Sequence, residues 1–264
     1  MTSSPLLRRV LVSGLALALV APWAPAAAAA PPKGDVEELL RKVDARTDAL
    51  GDYQALCVVQ EKQKARSIVR EMIVFRRKDG EKFSMLLTGP RAYAGSAVLR
   101  LDRNLWSFDP RVGRWDRHTQ RDQVAGTNMR TSDFDSIRLA EFYEGQRRGE
   151  EKVGGIPAQR LHLKAKPGVD VVVAEMDLWI DESLNILKID EFASGGKVVR
   201  TLLFSKYARM SPPGGGADVW YPMEVRVLDR VETERVTTVA YQKVDLSPIE
   251  TGVFTKAWVE SKSR

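Results

Sequence analysis

Apolar positions follow a helical spacing in one early stretch and alternate along most of the remaining chain. From Val36 to Leu50 they recur every three to four residues, which predicts an amphipathic helix. Asp35 gives this helix a capping start, and Gly51 gives it a stop. Because the predicted helix has one apolar stripe, it must lie against another part of the fold.

After Gly51 the apolar period changes to two, which is typical of strands with one buried face. The connections between these segments are rich in Gly, Asp and Pro and are mostly short. This spacing favours one antiparallel meander that curls into a barrel or half-barrel, a mainly β fold in a single domain over residues 31–264. The predicted strands are Tyr53–Gln60, Ser67–Arg77, Lys82–Thr88, Ala97–Asp102, Leu105–Phe108, Gly113–His118, Tyr143–Lys152, Gln159–Lys164, Val171–Asp181, Ile186–Phe192, Lys197–Tyr207, Val219–Leu228 and Glu234–Val244.

The apolar face of such a sheet needs a cover, while its charged face is expected to be solvated. The first helix is one cover, and Ser132–Phe142 is a second helical candidate in which Ser132 could act as the N-cap. Between them, Arg117–Arg130 is polar and aperiodic and is predicted to be a loop. The pattern leaves a filled interior and a hollow one both open, and small barrels favour the filled one.

The N-terminus is typical of a secretory signal over residues 1–30. Arg8 and Arg9 precede an apolar run from Val10 to Val20, and small residues at Ala26–Ala30 offer a cleavage site near Ala28–Ala30. A transmembrane anchor is the alternative, but the run of about a dozen residues is short for a bilayer core of about 30 Å. Because no Cys lies near the cleavage site, a lipid anchor is not expected. The mature protein is therefore predicted to be exported.

The amino-acid composition argues against most kinds of catalytic and metal-binding site. The 264-residue chain has one Cys and two His, which argues against disulfide scaffolds, multi-His metal sites and His-centred catalysis. Nucleophile-elbow, P-loop and dinucleotide motifs do not occur. We therefore predict no catalytic residue, no cofactor and no metal. The chain has a net charge of +6, but its clusters of basic residues lie beside acidic residues and are not interleaved with aromatic ones. Nucleic acid is therefore not an expected partner.

Several short motifs resemble those of the LolA-like outer-membrane lipoprotein-sorting family, in its broad exported branch. The resemblance runs from about Gly34 to Val259, and its motifs occur in the family's order along the chain. Thr131 stands where the family has Gly, and Phe108 where it has Tyr. The motifs are Gly89-Pro90-Arg91 with Gly95-Ser96-Ala97-Val98-Leu99-Arg100, Asn104-Leu105-Trp106-Ser107-Phe108-Asp109-Pro110, Thr131-Ser132-Asp133-Phe134, Leu178-Trp179-Ile180-Asp181, Trp220-Tyr221-Pro222 and Phe254-Thr255.

The resemblance implies an open antiparallel β-barrel of about eleven strands with helices covering its mouth. It also implies an apolar cavity for lipid or lipoprotein acyl chains, transient membrane contact, a monomer and an RND-type inner-membrane exporter as a possible partner. A sensor or adaptor module on the same fold is the alternative function, and an enzyme is a third hypothesis that the scarce chemistry disfavours. From alternation along the strands, the predicted cavity wall is Phe83, Met85, Leu87, Leu99, Leu101, Met176, Leu178, Ile180, Met223 and Val225.

Overall fold

A computed structural model describes residues 33–77, 82–101, 104–135, 138–212, 215 and 218–263. The predicted secretory signal, residues 1–30, lies outside the described residues, as do Asp102 and Ile137. The helices are α1 (Lys33–Asp48), α2 (Leu139–Phe142) and α3 (Lys256–Lys262), with 3-10 turns at Thr131–Phe134 and Thr251–Phe254. The strands are β1 (Tyr53–Gln63), β2 (Arg66–Arg77), β3 (Lys82–Gly89), β4 (Ala97–Leu101), β5 (Asn104–Asp109), β6 (Arg114–His118), β7 (Tyr143–Val153), β8 (Ile156–Ala165), β9 (Glu175–Ile180), β10 (Ile186–Phe192), β11 (Val198–Met210), β12 (Val219–Asp229) and β13 (Arg235–Asp245).

All these strands form one antiparallel sheet in the order β6-β5-β4-β3-β2-β1-β13-β12-β11-β10-β9-β8-β7. The sheet is not closed, since β6 and β7 are its two edges. Strands that follow one another along the chain are neighbours in the sheet except for β6 and β7, and β1 pairs in addition with β13. The prediction of an open, helix-covered antiparallel sheet is confirmed. The thirteen strands among the described residues match the alternation pattern, whereas the resemblance implied about eleven.

The inner face of the sheet carries the main core. Met72, Val74 and Met85 of β2 and β3 are fully buried there, as are Leu161 and Leu178 of β8 and β9. Val36, Leu40 and Val43 insert the stripe of α1 into the same core. A one-residue slip would turn each apolar set to the other face, so the burial fixes the register.

The predicted second helix, Ser132–Phe142, is two short pieces. The 3-10 turn Thr131–Phe134 buries Phe134, and α2 buries Leu139. The first piece begins after Arg130 rather than at Ser132; the Arg130 backbone N–H donates to Asp133 Oδ2 at 2.8 Å. The loop before this turn crosses the inner face of the sheet and buries Val124 and Met129, so the loop contributes to the main hydrophobic core.

The outer face of the sheet is not uniformly solvated as the pattern predicted. On β9, Asp177 and Trp179 are each 2% exposed. Asp177 accepts hydrogen bonds from Arg160 Nε at 2.9 Å and His162 Nδ1 at 2.7 Å. Trp179 lies between Lys188 and Arg160, whose charged groups are 4.0 and 5.0 Å from its ring. Long basic side chains therefore cover this part of the outer face.

The C-terminal segment covers another part of the outer face, and the sequence pattern did not predict it. Thr255 caps α3 by accepting a hydrogen bond from the Trp258 backbone N–H at 3.2 Å. Val259 is fully buried against Leu86, Ala97 and Phe108. We call the turn Thr251–Phe254 together with α3 the outer cover, and α1 together with α2 the inner cover.

Candidate functional site

A cavity of about 820 Å³ lies between the inner cover and the inner face of the sheet. Residues from α1, α2, the 3-10 turn Thr131–Phe134 and strands β9 to β13 line it. Its opening, which we call the mouth, is bordered by exposed side chains: Arg138, Glu141, Asp170 and Trp220. The first helix thus packs tightly near its start but bridges open space near its end.

The cavity wall is mostly apolar and rich in aromatic rings. Clefts of this size and lining are typical of small-molecule sites, which commonly measure about 300–1,000 Å³. The apolar and aromatic lining residues are Leu50, Tyr53, Phe134, Leu139, Phe142, Tyr143, Val171, Val172, Val173, Met176, Leu184, Ile186, Ile189, Leu202, Phe204, Tyr207, Val219, Trp220, Tyr221, Val225 and Tyr241.

The sheet divides at the cavity. Strands β12 and β13 pair only over Glu224–Leu228 and Val236–Ala240 among the described residues. Beyond that stretch, β12 continues to pair with β11 as far as Met210–Val219, and β13 with β1 as far as Asp245–Gln54. The two strands therefore separate towards the mouth, and the separation gives the cavity its width.

Three tyrosines stand around this division. The ring centroid of Tyr221 on β12 is 5.1 Å from that of Tyr241 on β13 and 5.8 Å from that of Tyr53 on β1. Burial raises the pKa of all three hydroxyls above the ordinary value, and those of Tyr221 and Tyr241 by far. All three phenols are therefore neutral donors at physiological pH.

Two other tyrosines on the cavity wall use their hydroxyl protons on backbone carbonyls. Tyr143 donates to the Val173 carbonyl oxygen at 2.8 Å, and Tyr207 donates to that of Ile186. Burial raises the pKa of Tyr143 to about 12. These two side chains fasten the loop before β9 and the start of β10, so their polar atoms are satisfied by the protein itself.

A buried ionic network closes the inner end of the cavity. Arg200 of β11 is bonded to Asp133 Oδ2 at 2.7 Å and to Glu191 Oε1 at 2.9 Å, and Arg130 reaches Glu191 Oε2 at 2.9 Å. Burial raises the pKa of the Glu191 carboxyl, while Arg200 and Arg130 oppose that rise. The network ties the loop before Asp133 to β10 and β11.

Polar contacts hold the inner cover beside the mouth. The backbone N–H groups of Leu139 and Ala140 donate to the two carboxylate oxygens of Asp44, each at 2.8 Å, so α1 caps α2. Arg46 donates to Asn185 Oδ1 through Nη2 at 2.6 Å, which joins the end of α1 to the turn before β10. Burial raises the pKa of Asp44 although the two amides oppose the shift.

The structure separates the predicted wall residues into three groups. Met176 and Val225 line the cavity. Phe83, Met85, Leu87, Leu178, Ile180 and Met223 face the same side of the sheet but belong to the packed core or pack against it. Leu99 and Leu101 face the other side. The sequence therefore located the correct face on β3, β9 and β12, whereas the open part of that face lies towards the strand ends.

The expectation for Leu99 and Leu101 is corrected by the pairing of β4. Leu99 stands opposite Ser84 and Trp106, on the same face as Leu86 and Ala97, which pack beneath α3. Its neighbours Val98 and Arg100 point inward instead, Val98 into the core and Arg100 to the cavity. Apolar residues occupy both faces of β4 because both faces are covered, so alternation could not choose between them.

The tyrosines on β1, β12 and β13 were the main cavity-lining residues that alternation missed. Tyr221 belongs to the Trp220-Tyr221-Pro222 motif, and Tyr53 begins the first strand directly after the α1 turn. Met223 and Val225 continue the parity of Tyr221, so extending that parity towards the strand start would have included it. No sequence signal marked the division between β12 and β13.

Within the described ranges, no group of three or more His, Cys, Asp and Glu side chains is placed to hold a metal ion. The free thiol of Cys57 is buried, and burial raises its pKa to about 12. None of the described helices has the length and apolar character needed to cross a membrane.

Three solved structures share this fold over nearly their whole length. A protein described as an outer-membrane lipoprotein-sorting domain from Vibrio parahaemolyticus is 19% identical, with a TM-score of 0.72 over 85% of this chain and 97% of that one. A DUF1329 family protein from Desulfovibrio piger is 18% identical, with a TM-score of 0.75 over 86% and 99%. A LolA superfamily protein from Nitrosomonas europaea is 18% identical, with a TM-score of 0.69 over 84% and 98%.

A search of curated proteins finds no match to the chain. A model of a protein family, described as uncharacterized protein, matches residues 79–261, which is more than half of the sequence. The resemblance to the LolA-like family is confirmed at the level of the fold. The chain belongs to the family that this model describes, and it shares its fold with a LolA superfamily protein.

Proposed function

We propose that this protein is a periplasmic carrier that binds the acyl chains of a lipid or lipoprotein in the cavity beneath its inner cover. The observation that carries the proposal is the cavity itself, an aromatic-lined space of about 820 Å³ that opens through a polar mouth. The carrier needs no catalytic group. The LolA-like fold supports the proposal because a lipoprotein-sorting domain shares it.

Burial of alkyl surface supplies the binding energy in this proposal. Each methylene group transferred from water to the cavity contributes roughly 0.8 kcal/mol. Val225, Ile189 and Leu202 line the cavity with aliphatic side chains, and Phe204 and Tyr241 line it with aromatic rings. An acyl chain fits this wall better than a polar metabolite because most of the lining offers no hydrogen bond.

The mouth fits the polar end of such a cargo. Arg138 is paired with Glu141 at 3.1 Å, and Asp170 with Arg121 at 3.0 Å, so the exposed border carries both signs of charge. Trp220, which is 45% exposed, offers an amphipathic ring for transient contact with a membrane surface. We propose that the carrier acts as a monomer and exchanges cargo with an RND-type inner-membrane exporter.

Lipid extraction and native mass spectrometry of the full chain purified from a bacterial periplasm test the proposal. We expect co-purified lipid or lipopeptide and, after delipidation, displacement of an apolar fluorescent probe by added phospholipid or lipopeptide. A protein that carries no lipid and whose probe is not displaced would contradict the carrier function, and capture of a membrane protein partner would then favour an adaptor.

A pair of variants ties the binding to the cavity. Phe204→Glu places a carboxylate on the cavity wall and is expected to abolish lipid co-purification, because the charge must stay hydrated. Leu203→Glu is the matched control on the same strand. Leu203 points to the outer face and stands opposite Lys188 and Arg226, which can accommodate the new charge. Equal lipid content in the two variants would place the lipid elsewhere on the protein.

A further inference from the structure

The division between β12 and β13 leaves two strand segments that face each other without pairing, residues 219–223 and residues 241–245. We call the space between them the notch. We propose that the notch holds an extended stretch of polypeptide whose attached acyl chain lies in the cavity. The proposal rests on the carrier function above and assigns a binding site to the peptide part of an acylated cargo. A lipid without a peptide has no group that uses this site.

Each side of the notch is paired along one edge only. Residues 219–223 of β12 pair with β11, and residues 241–245 of β13 pair with β1. Among the described residues, neither segment has a strand along its other edge. Pro222 lacks an N–H, but alternate backbone groups of the remaining residues point into the notch. These groups complement a polypeptide strand, which donates and accepts hydrogen bonds at alternate residues.

A bulge in β13 lies where the notch begins. The pairing of β13 with β1 shifts at Gln242, which has no partner on β1. A bulge bends its strand, and this one lies just beyond Ala240, the last residue of β13 that pairs with β12. The rings of Tyr221 and Tyr241 meet at the same level, with centroids 5.1 Å apart. The notch is therefore a defined feature of the sheet, with the two rings at its apex.

The outer edges of the sheet differ from the notch in their protection against pairing. In the edge strand β7, residues 147–152 are all charged except Gly149. The other edge strand, β6, has only five residues, and charged side chains predominate in it. Short length and charge are common ways to prevent an edge strand from pairing with another chain. Residues 219–223 contain no charged side chain, so this edge of the notch is open to an added strand.

The notch leads from the cavity to a groove on the surface. Tyr221 and Tyr241, at the apex, line the cavity. Val244, towards the open end, lines a second space of about 440 Å³ together with Met210 at the end of β11. A cargo with its acyl part in the cavity can therefore leave along the notch as a strand. At about 3.3 Å per residue, the length of residues 241–245 accommodates about five residues of such a strand.

The experiment compares ligands that share one acyl part and differ in the peptide. They displace N-phenyl-1-naphthylamine, an apolar probe, from the delipidated full chain. One competitor is a cysteine amide that carries dipalmitoylglyceryl on its sulfur, and the other has the same cysteine followed by Ser-Ala-Thr-Ala-Ser. We expect the lipopeptide to have a Kd about tenfold lower, the gain from a few net backbone hydrogen bonds.

Two N-methylated lipopeptides test whether the backbone supplies this gain. One is methylated at the odd peptide nitrogens after the cysteine and the other at the even ones, so the side chains and the acyl part stay the same. Because a strand uses alternate N–H groups along each edge, at least one of the two forms should lose the tenfold gain. Retention of the full gain in both forms overturns strand pairing in the notch.

A pair of variants and a crosslink locate the peptide. Met210→Trp narrows the groove and should reduce the gain from the peptide without changing the Kd of the cysteine amide. Ile156→Trp, at an exposed position at the start of β8, is the matched control and should change neither Kd. A benzophenone on the third residue after the cysteine should label residues 219–223 or 241–247. Labelling confined to β6 or β7 overturns the assignment to the notch.

The outcomes separate the notch from the carrier function. Equal affinity of the lipopeptide and the cysteine amide, or an equal loss of the gain in Met210→Trp and Ile156→Trp, overturns the notch as a peptide site and leaves the carrier standing. A wild-type protein that binds neither the probe nor the cysteine amide overturns the carrier function itself.

Discussion

The two covers lie on opposite faces of one sheet and are held in different ways. The outer cover is held mainly by apolar contacts, in which Phe254 and Val259 are buried and Trp258 meets Phe75 edge-on with ring centroids 5.4 Å apart, and Trp115 Nε1 donates a hydrogen bond to Glu260 at 2.7 Å. The inner cover packs equally well at the start of α1, but beside the cavity it is held by hydrogen bonds from Arg46 and to Asp44. Apolar side chains gain no favourable partner when they are exposed to water, whereas polar groups can replace a hydrogen bond within the protein by one to water at a small net cost in free energy. The outer cover is therefore held mainly by apolar contacts, and the end of the inner cover beside the cavity mainly by polar ones.

Loss of Arg200 should have the largest effect on the inner side of this comparison. Arg200→Met leaves Asp133 and Glu191 buried without their shared cation and is expected to lower the free energy of unfolding by about 3–5 kcal/mol at pH 7. Urea denaturation measures this loss. Arg226→Met, an exposed arginine on β12, is the control and should cost less than about 0.5 kcal/mol.

The pH dependence of that loss follows from Glu191. Its folded-state pKa is already raised by burial, and removal of Arg200 takes away an interaction that lowers it. A carboxyl with a raised folded-state pKa binds more protons when folded than when unfolded, so the fold regains stability as the pH falls. The deficit of Arg200→Met should therefore shrink between pH 7 and the ordinary carboxyl range. A deficit that grows with acid would contradict the role given to Glu191.

Truncation of one aromatic residue on each side sharpens the comparison directly. Phe254→Ala empties a filled site in the outer cover and should cost about 3 kcal/mol of unfolding free energy. Phe204→Ala enlarges a space that already exists and should cost less than half as much, since Phe204 has neighbours on one side only. Thermal or urea unfolding compares the two. Equal losses would show that the cavity wall is packed as tightly as the outer cover.

A smaller effect is expected where α1 caps α2. Asp44→Ala removes the acceptor for the amides of Leu139 and Ala140 and should cost about 1 kcal/mol, while Asp44→Asn keeps one acceptor and should cost less. Amide hydrogen exchange at Leu139 and Ala140 should accelerate in Asp44→Ala. The amide of Val259 in the outer cover serves as the internal control. Faster exchange at both places would mean general destabilisation and not local release of the inner cover.

The last prediction concerns the reactivity of the Cys57 thiol, which reports on the solvent accessibility of β1 near Tyr241. Because burial raises its pKa to about 12, the thiol should not react with a disulfide reagent at pH 8 in the folded protein, and one thiol per chain should react in denaturant. Labelling kinetics test this. Rapid reaction of the native protein would contradict the burial of Cys57 in the folded state.

Sequence alternation predicted the sheet well because most strands have one dry face. It placed Phe83, Met176 and Val225 on the inner face, and the strand segments agree closely with those observed. It failed for Leu99 on β4 and for Trp179 on β9 because both faces are covered at those places. Alternation of apolar and polar residues identifies the buried face of a strand only where the other face is exposed to water.

The cavity could be predicted only in part, for a different physical reason. Its wall consists of strand ends, loop residues such as Val171 and helix ends, which share no period. Its existence depends on where β12 and β13 stop pairing, and this is a property of the twisted sheet and not of any one strand. Burial of Cys57 was predicted correctly from its apolar surroundings.

The pairing of β1 with β13 has a consequence for the order of events in folding. Each half of the sheet, β1 to β6 and β7 to β13, is built from contacts between successive hairpins, but the seam that joins them links Val59 to Val239. The seam cannot form until almost the entire chain is available, and such distant contacts slow folding. The two halves of the sheet therefore share no strand pairing until β13 has been synthesised.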